Sequence, residues 1–356
     1  MIADNPEPPE LDRSGPLSPA GYRPAALPFA SSLFLGPEGL RAGWSLLIFI
    51  LVLSILLVPT VPLFQHHALQ AAQSHAQSGS PDRTLANIVT EDGSLFLVLL
   101  LSSIAMSHIE SRPFAAYGLG ATPGALRQLL AGLLWGLLFL SLLVLILWSS
   151  HLLVFDRRLL RGPAIPRYAA EWAFGFLCVG LFEEYLLRGF VLFTLARGLA
   201  GTYAVLLPKP LSNALGFWTA ATLLASVFGL SHHSNPGESS IGLLSAGAVA
   251  LVFSLSLWRT GSLWWAVGFH AAWDWAQSFL FGVADSGAVM EHRLLASHPL
   301  GRPILSGGLT GPEGSIYVFP VLVLVALVLS KTLPRRPASA PLPPPGPALS
   351  PTFHVL

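Results

Sequence analysis

From Trp44 onward the chain is a series of long apolar runs separated by polar stretches. A helix needs roughly 20 apolar residues to cross a bilayer. Eight runs approach or reach that length: Trp44–Phe64, Gly93–Ile109, Leu129–Trp148, Ala173–Leu195, Leu215–Leu230, Ile241–Trp258, Ser262–Phe281 and Ile316–Ser330. None alternates with the period of a membrane-barrel strand. The pattern predicts an all-α, polytopic membrane protein, a bundle of about eight transmembrane helices. The Arg259-Thr260-Gly261 connection is so short that the sixth and seventh runs should be antiparallel neighbours. Residues 1–42 and 333–356 are Pro-rich, the latter with Pro341-Leu342-Pro343-Pro344-Pro345, and read as disordered. That leaves a membrane domain over 43–332, with its chemistry-bearing core at 170–282. No basic start followed by a short apolar core is visible, so the first run is expected to be an uncleaved membrane helix.

Composition agrees. The chain is 53% hydrophobic and 10% charged, against about 25% charged in ordinary soluble domains. A net charge of +1 offers no basic field for nucleic acid. The single cysteine, Cys178, excludes an internal disulfide and a cysteine-built metal site, and reads as a small buried hydrophobe. His66, His67 and His75 lie in a polar loop with no acidic partner at ligand spacing, so a solvated loop is expected there. With both termini on one side, that side carries eleven Lys/Arg against seven, which favours cytoplasmic termini. The dense Arg157–Arg167 cluster argues the other way.

Ionisable residues inside a membrane are expensive and point to function. Most runs contain none. The exceptions are Glu183, Glu184 and Arg188 in the fourth, His232 and His233 at the end of the fifth, and His270 and Asp274 in the seventh. Glu184 and Arg188 share a helix face and can pair. Glu183 is turned about 100° away and is free to face something else. Phe228 and His232 share a face, as do His270 and Asp274, so Asp274 could fix the His270 tautomer. Glu183 with His232 could deprotonate a water, and His270 with Asp274 could bond the resulting oxyanion. No serine sits in a nucleophile-elbow pattern and Cys178 has no adjacent base, so water is the expected nucleophile. The plain alternative is that these polar groups only join helices.

The stretch Leu181-Phe-Glu-Glu-Tyr-Leu-Leu-Arg-Gly-Phe190 resembles the first motif of the CPBP intramembrane proteases, the CAAX-processing and bacteriocin-immunity family. Phe228-Gly-Leu-Ser-His232 resembles its F-x-x-x-H motif, and His270-Ala-Ala-Trp-Asp274 its H-x-x-x-N/D motif. Arg112–Leu119 resembles a segment that precedes the catalytic half. The likeness runs from about Trp44 to Phe281 and is densest over 181–275. It implies a glutamic endopeptidase of eight core helices that needs no metal or other cofactor. In it Glu183 and His232 would activate water and His270 and Asp274 would form the oxyanion hole. Glu184, Arg188 and Phe228 would support them. Prenyl-processing members tend to carry Asn at the last motif position, which can donate a hydrogen bond; Asp274 donates only when protonated. His233 has no assigned role.

The expected partners are membrane lipid and a protein or peptide substrate, with lipidation left open, in a bacterial cytoplasmic membrane. Two other readings remain. One is a zinc metalloprotease using His232, His270 and a carboxylate, although H-E-x-x-H is absent. The other is a non-catalytic scaffold or immunity protein of the same family.

Overall fold

The computed structural model describes residues 33–36, 39–66, 82–121 and 124–335. His67, His75, the proline run 341–345 and most of both Pro-rich ends lie outside them. The described chain is mostly helical. Five helices are long and apolar enough to cross a membrane. They are α1 (Ala42–Leu57, continuing through a 3₁₀ turn to His66), α2 (Leu85–Ile109), α3 (Ala125–Ser149), α6 (Lys209–Ser231) and α7 (Ser240–Thr260). Between α3 and α6 lie α4 (Ala164–Arg188) and α5 (Phe190–Tyr203). After α7 come α8 (Trp264–Trp275), the short α9 (Pro303–Ser306) and the apolar α10 (Val318–Thr332).

The fourth apolar run departs from its reading as one helix over Ala173–Leu195. It starts earlier, at Ala164, and breaks at Gly189 into α4 and α5. A Cβ at position 189 would meet the Tyr185 carbonyl and ring at 2.5–2.8 Å. Periodicity cannot reveal that break, because both halves are apolar. The seventh run is α8 extended by one π-helical turn, Ala276–Leu280. The sixth and seventh runs touch through Phe253, whose ring lies 5.6 Å from Phe269. The close packing of α8 is nonetheless with α3 and α4 rather than with α7.

In lipid, burying apolar surface gains little, so helices associate by close approach of small residues. The α3–α8 crossing shows it. A Cβ on Gly132 would meet the Phe269 nitrogen at 2.8 Å, and one on Gly136 would meet the Phe269 Cα at 3.0 Å. On the facing helix a Cβ on Gly268 would meet the Leu133 nitrogen at 3.0 Å. The side chains around this crossing form one core of Phe139, Phe253, Trp265, Phe269, Val321 and Val325. A second core, with Phe49, Leu99, Tyr117, Phe190 and Phe217, joins α1, α2, α5 and α6. Outward faces carry exposed Leu47, Ile50, Leu51 and Ile55 on α1 and Leu134, Leu138 and Leu145 on α3. Such a surface suits lipid.

Arg112, in the segment noted for its resemblance, has a structural place. Buried Glu110 pairs with Arg112 (3.4 Å) and Arg197 (3.1 Å), and accepts hydrogen bonds from Tyr117 (3.2 Å) and Ser45. The cluster ties α1, α2 and α5 together, with every group paired as burial demands.

Short strands occur where the sequence was read as connections, and one pair falls within residues 1–42, which were read as disordered. β1 (Leu35–Gly36) and β2 (Gly39–Leu40) form a small hairpin before α1. β3 (Asp82–Arg83) pairs parallel with β5 (Val289–Met290). β4 (Leu153–Arg158) pairs antiparallel with β6 (Leu295–Pro299), with a bulge between Phe155 and Arg157. These last two pairs bind the long 281–317 connection across the ends of α3, α4 and α8.

Candidate active site

α4, the end of α6 and α8 converge beneath that connection. Glu184, fully buried, lies at the centre. Its Oε2 accepts from Arg188 Nη1 at 2.7 Å, and its Oε1 lies 2.9 Å from His270 Nδ1. Arg188 also donates from Nε to the Ala250 carbonyl (3.3 Å), and its guanidinium sits 5.3 Å from the Phe228 ring and 5.4 Å from Phe253. The pairing of Glu184 with Arg188 expected from their spacing is present, and Phe228 covers it. Removing one partner of a buried pair strands the other charge. Arg188→Met is therefore expected to destabilise the fold by about 3–5 kcal/mol, read as a large fall in the unfolding temperature in detergent.

His270 is oriented by Glu184 rather than by Asp274. With Nδ1 engaged there, Nε2 lies 3.4 Å from Asp274 Oδ2 and 3.7 Å from Glu183 Oε2. The sequence spacing brought His270 and Asp274 to one face but could not show that a carboxylate from α4 would reach the ring first. His232 donates from Nδ1 to the Phe228 carbonyl at 2.8 Å, which leaves Nε2 as its other nitrogen. Its ring packs edge-on against Phe228, 4.7 Å between centroids. His233 is exposed and Cys178 is half-buried on α4.

Glu183, His232, His270 and Asp274 line one cleft of about 260 Å³. Its far wall is supplied by Asp285, Ser286, Ala288 and Met290, from the connection that follows α8. A smaller cavity of about 80 Å³ shares His232, His270 and Asp274 and runs between α7 and α10, past Val249, Phe253 and Leu322. Glu238, Asp285 and Glu313 also face that cavity. Glu238 and Asp285 lie in loops and Glu313 in a 3₁₀ turn, and sequence reasoning, which searched the apolar runs for charge, missed all three. The Asp285-Ser286-Gly287 turn signal was available; its position over the site was not. Among the described residues, no group of three or more His, Cys, Asp or Glu side chains has an arrangement that could hold a metal ion.

Burial pushes the Glu313 carboxyl up to about 8, and the neighbouring Asp285 adds to it. The Ser286 backbone N–H and the Gln277 amide pull the other way. A carboxyl whose folded value lies above its unfolded one binds extra protons in the folded state between the two. Its burial thus costs stability progressively as pH rises from about 4.5, the full cost being reached above about 8. Glu313→Gln should flatten this fall, seen as a smaller difference in unfolding temperature between pH 5 and pH 8 than in wild type.

No curated protein and no solved structure matches the chain. A family match does exist, and it falls on α4 to α8, the helices that carry the four cleft residues. Residues 165–276 match the family model described as type II CAAX prenyl endopeptidase Rce1-like, so this part of the chain is similar to that family.

Proposed function

We propose that the chain is an intramembrane endopeptidase that hydrolyses a peptide bond with a water activated by Glu183 and His232. The observation that carries this reading is the convergence of Glu183, His232, His270 and Asp274, from three helical segments, on one cleft of about 260 Å³. Glu183 takes the proton as the water attacks the carbonyl, with His232 across the cleft aligning that water. Negative charge then grows on the carbonyl oxygen. His270, held by Glu184, meets it as a donor from Nε2 when protonated, and Asp274 either steadies that cation or, protonated itself, donates directly. Glu184 and Arg188 do no chemistry; they fix His270 in a place where a 1 Å error would be costly. The substrate is a protein or peptide reached from lipid, and the resemblance favours a bacterial cytoplasmic membrane as its setting.

The test is cleavage of a mixed peptide library by protein purified in detergent, with and without a chelator. Cleavage that survives chelation supports the glutamate and histidine mechanism. Cleavage lost on chelation would replace it with a zinc reaction, and no cleavage of either free or lipidated peptides would favour a non-catalytic role.

A further inference from the structure

Glu313 lies far outside the family-matched segment, in a 3₁₀ turn just before α10, yet it reaches the cavity beside the site. Its Oε1 accepts from the Ser286 backbone N–H at 2.7 Å, with the Ser286 hydroxyl at 3.4 Å. Its Oε2 accepts from the amide of Gln277, which is fully buried in the π-turn after Asp274. Ser286 and Gly287 form a two-residue turn closed by Asp285 and Ala288, which exchange backbone hydrogen bonds at 2.8 and 2.9 Å. Both central residues have positive φ, 46° for Ser286 and 83° for Gly287. Glycine adopts that conformation freely, whereas serine does so at a cost. A Cβ on Gly287 would collide with the Pro236 carbonyl, in the loop just after His232, and the Gly287 N–H donates to the Thr310 carbonyl at 3.1 Å. A strained turn thus lines the cleft, and the Glu313 carboxylate is one of the groups that hold it there.

We propose that Glu313 is a positioning residue that clamps the Ser286–Gly287 turn onto the end of α8, so that the turn forms the fixed wall against which substrate lies. The part that concerns substrate rests on the protease reading; the clamp itself does not. Three groups share the work. Ser278 Oγ donates to Asp285 at 2.9 Å, Gln277 joins Glu313 to the Ala284 carbonyl (2.9 Å), and Glu313 bonds the one amide whose residue is strained.

The test compares wild type, Glu313→Ala, and Glu313→Ala with Ser286→Gly in the full-length protein in detergent. Amide hydrogen exchange of residues 284–288 is measured alongside kcat and KM for a cleaved peptide. Glu313→Ala should lose protection in 284–288 only, and KM should rise about tenfold, the factor that accompanies one lost positioning hydrogen bond, with kcat changing far less. Adding Ser286→Gly removes the cost of the left-handed residue, so it should restore much of the protection and of KM. Unchanged exchange at 284–288 would overturn the clamp. Protection lost throughout α8 and α10 would overturn it in favour of a general structural role. Local loss of protection with KM unchanged would overturn the substrate-positioning part. Exchange does not depend on cleavage, so failure of the protease reading, marked by no cleavage of any peptide by the wild type, is read separately.

Discussion

Glu183→Gln is expected to cut peptide cleavage by roughly 10²–10⁴-fold, the general-base contribution, while leaving folding and unfolding as in wild type. Glutamine keeps the size of the side chain and part of its hydrogen bonding but cannot take a proton. Glu183 is partly open to the cleft, and His270, its near neighbour, remains engaged by Glu184 and Asp274. No buried charge is stranded, so the stability change should stay within about 0.5 kcal/mol. The adjacent residue behaves in the opposite way. Glu184→Gln weakens the bonds to both Arg188 and His270 and lowers stability and activity together. Under the proposed mechanism two carboxylates adjacent in sequence would separate into one that reacts and one that holds. The comparison needs only unfolding curves and cleavage rates for the two variants. Wild-type cleavage by Glu183→Gln would sink the mechanism.

Gly136→Leu is expected to be as damaging by a different route. The α3–α8 contact is backbone against backbone, with Gly132 and Gly136 on one side and Gly268 on the other. Side chains that clash can rotate away, but a main chain cannot. Overpacking typically costs about 1–3 kcal/mol, and this position should reach or exceed the top of that range. The helix pushed aside is the one that carries His270 and Asp274. A displacement of about 1 Å at such groups can cost about 10²-fold in rate, so activity should fall further than stability alone would explain. Leu138→Ala, on the exposed face of the same helix, changes little and serves as the control. A Gly136→Leu protein with wild-type unfolding temperature and cleavage would refute this account of the crossing.

Some of this was legible without coordinates. Apolar runs of bilayer length, nearly free of charge, leave no option but helices in lipid, because no other open structure satisfies the backbone there. The same scarcity made Glu183, Glu184, Arg188, His232, His270 and Asp274 stand out, since each must repay the cost of its burial. The four-residue spacing of Glu184 and Arg188 gave their pairing directly, because an i,i+4 contact lies within one helix.

What the sequence by itself determined, then, was the membrane class, the predominance of helix and the Glu184–Arg188 pairing. Each follows from interactions within one segment or between a segment and its solvent. Tertiary structure decided the rest. It set which carboxylate reaches His270, because Glu184 and Asp274 compete from different helices and only the α4–α8 distance settles the contest. It broke the fourth run at Gly189, where a side chain of the preceding turn leaves no room for a Cβ. It also brought Asp285 and Ser286 to the cleft, and strand pairings between segments more than a hundred residues apart hold their connection. Those pairings rest on backbone hydrogen bonds that any residue can make, so the side-chain pattern carries almost no trace of them.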